Sequence, residues 1–202
     1  MQMVNFKKDI GIGDLRRFVR MGHALFTLKS EKTGQHYTYR ITRIEKSNNA
    51  GSNLVWGKVR KGNKIINDWK PSPACYLYFI SFLHSGEKYE YLGVFNQFDF
   101  SIRLTGKSKV TADAPVYKAI DYFLNLLKIV APADVNSAFK NPEDYEKWAQ
   151  GCDDFLARKY QEYAPYLTIY HANKCCCCGR ELTEPESVEL GIGPICRTGD
   201  WY

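Results

Sequence analysis

Between Ala24 and Thr105 the chain is built of short apolar stretches separated by polar turns, with the two-residue alternation of β-strands. Ala24–Ser30 and His36–Glu45 are rich in β-branched and aromatic residues. The segment between them, Glu31–Gln35, contains Gly34, and the three pieces read as a hairpin. Leu54–Arg60 is a further short strand. Lys61–Pro73 shows no clear period, is basic and ends in Pro71 and Pro73, so it is expected to be irregular. Ala74–Leu83 is a nearly continuous apolar and aromatic run, the signature of a central, buried strand. After the turn His84–Gly86 come Glu87–Val94 and Phe98–Thr105. Short strands on short loops predict an antiparallel meander over residues 24–105.

Helical spacing appears on either side. Asp14–Met21 reads as a short helix, capped by Asp14, with Leu15 and Phe18 on one face and Gly22 at its end. Asp113 and Pro115 start a second, in which Val116, Ile120, Phe123, Leu124 and Leu127 recur on one face, giving a helix over 114–130. Asn141-Pro142-Glu143-Asp144 opens a third over 142–163, with Tyr145, Trp148, Cys152, Phe155 and Tyr160 on its apolar stripe. The expected fold is therefore α+β: an antiparallel sheet packed on two or three helices, forming a body over 1–165. A separate small unit over 166–202 begins where the composition changes near Tyr170.

The chain has 202 residues, of which 45% are apolar and 14% aromatic, which excludes a disordered protein. No window of about 18 apolar residues is present, so no membrane-spanning helix is expected. Met1–Gly13 carries two lysines without an apolar stretch, which argues against a secretory signal and for a cytoplasmic protein. Charge changes the picture more. Residues 1–110 hold 19 Lys and Arg against 8 Asp and Glu, and residues 111–202 hold 9 against 14. A basic half joined to an acidic half points to a surface for a polyanion.

Its candidates lie between residues 40 and 70. Lys58, Arg60, Lys61, Lys64 and Lys70 are interleaved with Trp56 and Trp69, and Arg40, Arg43 and Lys46 precede them. Cations alternating with aromatic rings suit a single nucleic-acid strand, the cations tracking phosphates and the rings stacking on bases. Tyr37, Tyr39, Tyr76 and Tyr78 would extend that platform. The competing reading makes Trp56 and Trp69 core anchors and the lysines a solvated rim.

Seven cysteines are present, Cys75, Cys152, Cys175, Cys176, Cys177, Cys178 and Cys196, five of them in the tail. An odd count without a signal peptide disfavours a disulfide scaffold. Cys75 and Cys152 sit in apolar segments and read as small buried side chains. Of the four consecutive cysteines, Cys175 and Cys178 have the two-residue spacing of a zinc knuckle, followed by Gly179. Cys176 and Cys177 then occupy the turn. Zinc takes four soft or borderline ligands in a tetrahedron. Cys175, Cys178 and Cys196 supply three, and His171, four residues before Cys175, is the expected fourth. Cys176, Cys177 and Asp200 compete for that position. A filled shell of this kind makes one structural zinc. A redox dithiol would instead sit at a helix N-terminus in a βαβ unit, which the tail lacks.

These residues also resemble a known pattern. Cys175, Cys178, Gly179, Arg180, Leu182, Thr183, Pro185 and Ser187, followed by Gly191, Gly193, Pro194 and Cys196, look like the zinc-knuckle domain of an uncharacterised family of bacteriophage, prophage and plasmid proteins. A histidine four residues before the first cysteine is common there. Phe26–Gly34, Tyr91–Gly93 and Arg103–Ser108 are similar, more loosely, to the body such proteins carry. The resemblance implies a phage-type origin and a bound zinc, and it brings no assigned activity.

No catalytic constellation is legible. The four histidines, His23, His36, His84 and His171, lie outside the two long predicted helices, which excludes the His arrangement of an HNH-type nuclease. Gly106-Lys107-Ser108 has only the end of a phosphate-binding loop, and Gly11-Ile12-Gly13 lacks a preceding strand. The sequence thus reads as a binding protein with no small-molecule cofactor beyond zinc. Its expected partner is nucleic acid, single-stranded before duplex. The alternative is a host protein, an enzyme or defence system that a phage product inhibits or redirects.

Overall fold

The computed structural model describes residues 3–6, 10–45, 54–61, 64–71, 76–97, 99–128 and 167–198. The side chains of Glu45 and of residues 54–71 are not described, and the helix expected over 142–163 lies outside the described residues.

The strands are β1 (Val4–Asn5), β2 (His23–Ser30), β3 (His36–Glu45), β4 (Leu54–Lys61), β5 (Lys64–Pro71), β6 (Tyr76–Ser85), β7 (Lys88–Asn96), β8 (Ser101–Arg103) and β9 (Leu167–His171). The helices are α1 (Ile12–Arg20), α2 (Pro115–Leu126), α3 (Pro185–Leu190) and α4 (Pro194–Arg197). Seven strands form one sheet in the order β1-β9-β2-β3-β6-β7-β8. Every neighbouring pair is antiparallel. The meander is real from β2 to β8, interrupted by β4 and β5, which among the described residues pair only with each other. The tail also returns to the body: β9 lies between β1 and β2, so the first residues of the cysteine-rich segment are an internal strand of the main sheet.

Two local expectations change. Lys64–Pro71 is a strand, not irregular chain. It pairs with β4 from Lys64 opposite Lys61 to Pro71 opposite Leu54, a strand that its Lys-, Asn- and Asp-containing composition obscures. Asp14 does not cap α1. The cap position is Gly11, without a side-chain hydrogen bond, and Asp14 falls in the first turn, where a carboxylate still favours the helix dipole.

The register sorts the sheet into two faces. Phe26 pairs with Tyr39, Tyr39 with Phe82, Ile41 with Ile80 and Tyr78 with Phe95, and all of these are buried. Helices cover this side. Phe18 of α1 and Phe123 of α2 lie 6.0 and 5.6 Å from the Phe26 ring, and the Tyr39 hydroxyl donates to the Val116 carbonyl at 2.7 Å. The polar atom of a fully buried tyrosine is thus satisfied, and its ring adds to the core without an unpaired donor.

Candidate metal centre

β9 delivers the chain to the centre. After it, residues 173–182 fold back on themselves: Lys174 bridges Glu181, and the Leu182 amide donates to the Asn173 carbonyl at 3.1 Å. Within this hairpin the Cys175 amide donates to the Arg180 carbonyl and the Gly179 amide to the Cys175 carbonyl, both at 2.8 Å. The loop closes only because Gly179 takes a left-handed φ of 71°, which a side chain would resist. The amides of Gly193, Cys178 and Cys177 face the Cys175 sulfur, with Gly193 N at 3.4 Å from Sγ.

The third sulfur arrives by a different route. Pro185 opens α3, Gly191 ends it at φ 66°, and Gly193 and Pro194 open α4, whose third residue is Cys196. A Cβ at Gly191 would meet Phe18 at 2.9 Å and Phe6 at 3.0 Å, so glycine is required here both for backbone conformation and for space. The turn therefore packs against α1 and β1 and does not stand apart from the body.

The result is a group of three sulfurs, on Cys175, Cys178 and Cys196, all within 4.8 Å of one another. Cys175 and Cys196 are buried, Cys178 is half-buried, and all five tail cysteines are free thiols. A cavity of about 150 Å³, lined by these three residues with Arg180, Glu184 and Ser187, gives a path to solvent. Crowding and burial keep the protons on. The hydrogen bond to Cys196, followed by desolvation, pushes the Cys175 thiol up to about 12. Cys196 also rises to about 12, because its hydrogen bond to Cys175, which favours the thiolate, is outweighed by Cys177, burial and the neighbouring sulfurs. A cation between the sulfurs reverses this balance, since its charge stabilises the thiolates that the protein alone disfavours. Three close sulfurs without a disulfide can hold a metal ion.

His171, expected as the fourth ligand, is not part of this group. It is the last residue of β9 and pairs with Phe26 and Val4, so strand alternation turns it to the core face. The ring is fully buried, 4.7 Å from Phe6 and 6.2 Å from Phe18, and its Nδ1 accepts from the Asn173 amide at 3.2 Å. Burial holds the imidazole below its ordinary pKa, opposed in part by the Val188 backbone. Cys176 is likewise buried in the body, its amide donating to the Gly191 carbonyl and its carbonyl accepting from His23. Cys177 lies against Cys196, and Asp200 is outside the described residues.

The residues expected to bind nucleic acid are dispersed. Arg40 and Arg43 stand three apart on β3 and so face opposite sides of the sheet. Arg40 is exposed, 4.1 Å over the Tyr89 ring. Arg43 lies 4.4 Å over Tyr76 on the core side, hydrogen-bonded to Tyr78. Tyr39 and Tyr78 are buried and so cannot extend a stacking platform, a consequence of the same alternation. Lys46 lies outside the described residues. Trp56, Lys58, Arg60 and Lys61 belong to β4, and Lys64, Trp69 and Lys70 to β5, where Trp56 is directly opposite Trp69.

Among the described residues no helix is long and apolar enough to cross a membrane. No curated protein and no solved structure matches the chain. Residues 168–199, the segment holding Cys175, Cys178 and Cys196, match a family of unknown function (DUF6011).

Proposed function

We propose that this is a zinc-stabilised, phage-type accessory protein that binds single-stranded nucleic acid. The observation that carries the reading is the β4–β5 ribbon. Among the described residues it pairs with no strand of the main sheet, and it holds five Lys and Arg against one Asp, with Trp56 and Trp69 in register. Excess positive charge attracts phosphates at any sequence, and paired aromatic residues supply stacking that single strands accept and duplexes do not. Zinc is the ion that three thiolates in a closed loop suit best, and its role is to fix the tail onto the body. The resemblance of the tail to phage and plasmid proteins supports the phage-type origin.

The test is charge reversal at Arg60, Lys61 and Lys64. A labelled single-stranded oligonucleotide should lose most of its affinity for the variant, and the salt dependence should flatten in proportion to the cations removed. Unaltered binding contradicts the reading. Metal analysis should return one zinc per chain, lost on Cys175→Ser.

A second reading, a module that seizes a host protein, is favoured by one feature. Ile44 and Leu77 are paired in register and are 55% and 38% exposed.

A further inference from the structure

The sheet's second face is a surface that the metal centre and the ribbon leave unexplained. Paired residues of antiparallel strands share a face, so the register defines it across all seven strands. Among the described residues, the contacts of Phe18 in α1 and of Phe123 and Val116 in α2 with the sheet are on the opposite, core face. At the strand positions of this second face there is no Asp or Glu, while Lys29, Arg40 and Arg103 all lie on it. Glu90, between Tyr89 and Tyr91 in β7, pairs with Phe82 and so belongs to the other face, and Glu31 in the β2–β3 turn is held at one edge by Lys29 at 3.2 Å and by the Thr168 hydroxyl at 2.6 Å.

Aromatic rings cluster in the middle. Ser81 pairs with Arg40 on one side and Tyr91 on the other, and Leu83 pairs with Tyr89. Phe79 precedes Ser81 on the same face, with its ring 6.2 Å from Tyr91. Phe79, Tyr89 and Tyr91 are half-buried, and the Arg40 guanidinium lies over Tyr89. The same face also carries Thr27, Thr38, Thr42 and Thr168, residues ordinary on the second face of a sheet. Its centre differs: three rings and an arginine, with no carboxylate at the strand positions, suit a planar, anionic ligand.

We infer that this second face, centred on Phe79, Tyr89, Tyr91 and Arg40, is a stacking platform for the unpaired bases of a single nucleic-acid strand. The inference rests on the nucleic-acid reading above and adds a second, separate contact surface to the ribbon. Half-buried rings present one side to the ligand, and arginine stacks on tyrosine while contacting phosphate. The missing carboxylates matter as much, since one would repel the backbone at close range.

The zinc-loaded full chain should be titrated with a labelled single-stranded oligonucleotide. Tyr91→Leu and Phe79→Leu keep apolar bulk and remove the aromatic face; each should weaken binding roughly five- to a hundred-fold. Tyr91→Phe keeps the ring and should stay within about twofold. Arg40→Gln should weaken binding and reduce the salt slope by about one. Should Phe79→Leu fail to fold, NMR shifts of the wild-type protein serve instead and should map to Phe79, Tyr89 and Tyr91. Loss of binding on ribbon charge reversal, with the leucine variants and these shifts unaffected, overturns the platform and leaves the nucleic-acid reading standing. Absence of any salt-dependent binding by the wild type overturns both. A protein ligand that competes for Ile44 and Leu77 while oligonucleotides do not bind also overturns it.

Discussion

The two faces of the seven-stranded sheet use the same residue types to opposite ends. On the core face Phe26, Tyr39, Tyr78 and Phe95 are buried against one another and against α1 and α2. On the outer face Phe79, Tyr89 and Tyr91 have neighbours in the sheet but keep one side accessible. Among the described residues the difference lies in what sits opposite. The core face is closed by helices and by the cysteine-rich tail, which meets it at Phe6, Phe18 and Gly191. Aromatic content along a strand thus says little about function until the register says which side each ring occupies.

Removing the metal should break the closed side hardest. Structural zinc in small domains contributes on the order of 10 kcal/mol. Because β9 is an internal strand, chelation should lower the unfolding midpoint of the whole sheet as well as loosen the tail; calorimetry with and without chelator measures this. The metal-free protein should also be sensitive to alkali. With the Cys175 and Cys196 thiols raised from near 9 to about 12, the folded state holds more protons than the unfolded one between those values. Its stability is then full below about pH 9 and falls as pH rises toward 12. Metal affinity runs the other way and increases with pH, because binding releases thiol protons.

Phe26→Ala, in the middle of the core face, should cost about 3–5 kcal/mol in denaturant unfolding. Gly191→Ala should cost about 1–3 kcal/mol, combining left-handed strain with the close approach of Phe18 and Phe6. Phe79→Leu on the outer face should cost less than about 1.5 kcal/mol. A penalty there equal to that of Phe26→Ala would erase the contrast between the faces.

Much of this was legible in the chain. The hairpin of β2 and β3, the strands β6 and β7, and the start of α2 at Pro115 all follow from alternation and turn residues. Cys175 and Cys178 were legible as a pair by their spacing, with Gly179 as the turn residue after them. Face assignment was not legible. The near-continuous apolar run Ala74–Leu83 hides its own alternation, so Tyr78 and Phe79 look alike until β3 and β7 are placed beside them. In β7 an irregularity near Leu92 shifts the register, and no local signal marks it. The surroundings of His171 were hidden for a related reason. Its distance in sequence from Cys175 suits a ligand, but its position in β9 belongs to a sheet whose partners, β1 and β2, lie some 150 residues away. The β4–β5 ribbon was half visible: Leu54–Arg60 reads as a strand, while the polar and charged residues of Lys64–Pro71 hide its partner.

The most direct test is fluorescence anisotropy of the zinc-loaded protein against single-stranded DNA, duplex DNA and RNA over a series of salt concentrations. The account predicts that a single strand, DNA or RNA, binds more tightly than duplex, with log affinity falling linearly as log salt rises. Negligible binding of all three near physiological salt would contradict it, and would leave Ile44 and Leu77 as the marks of a protein interface.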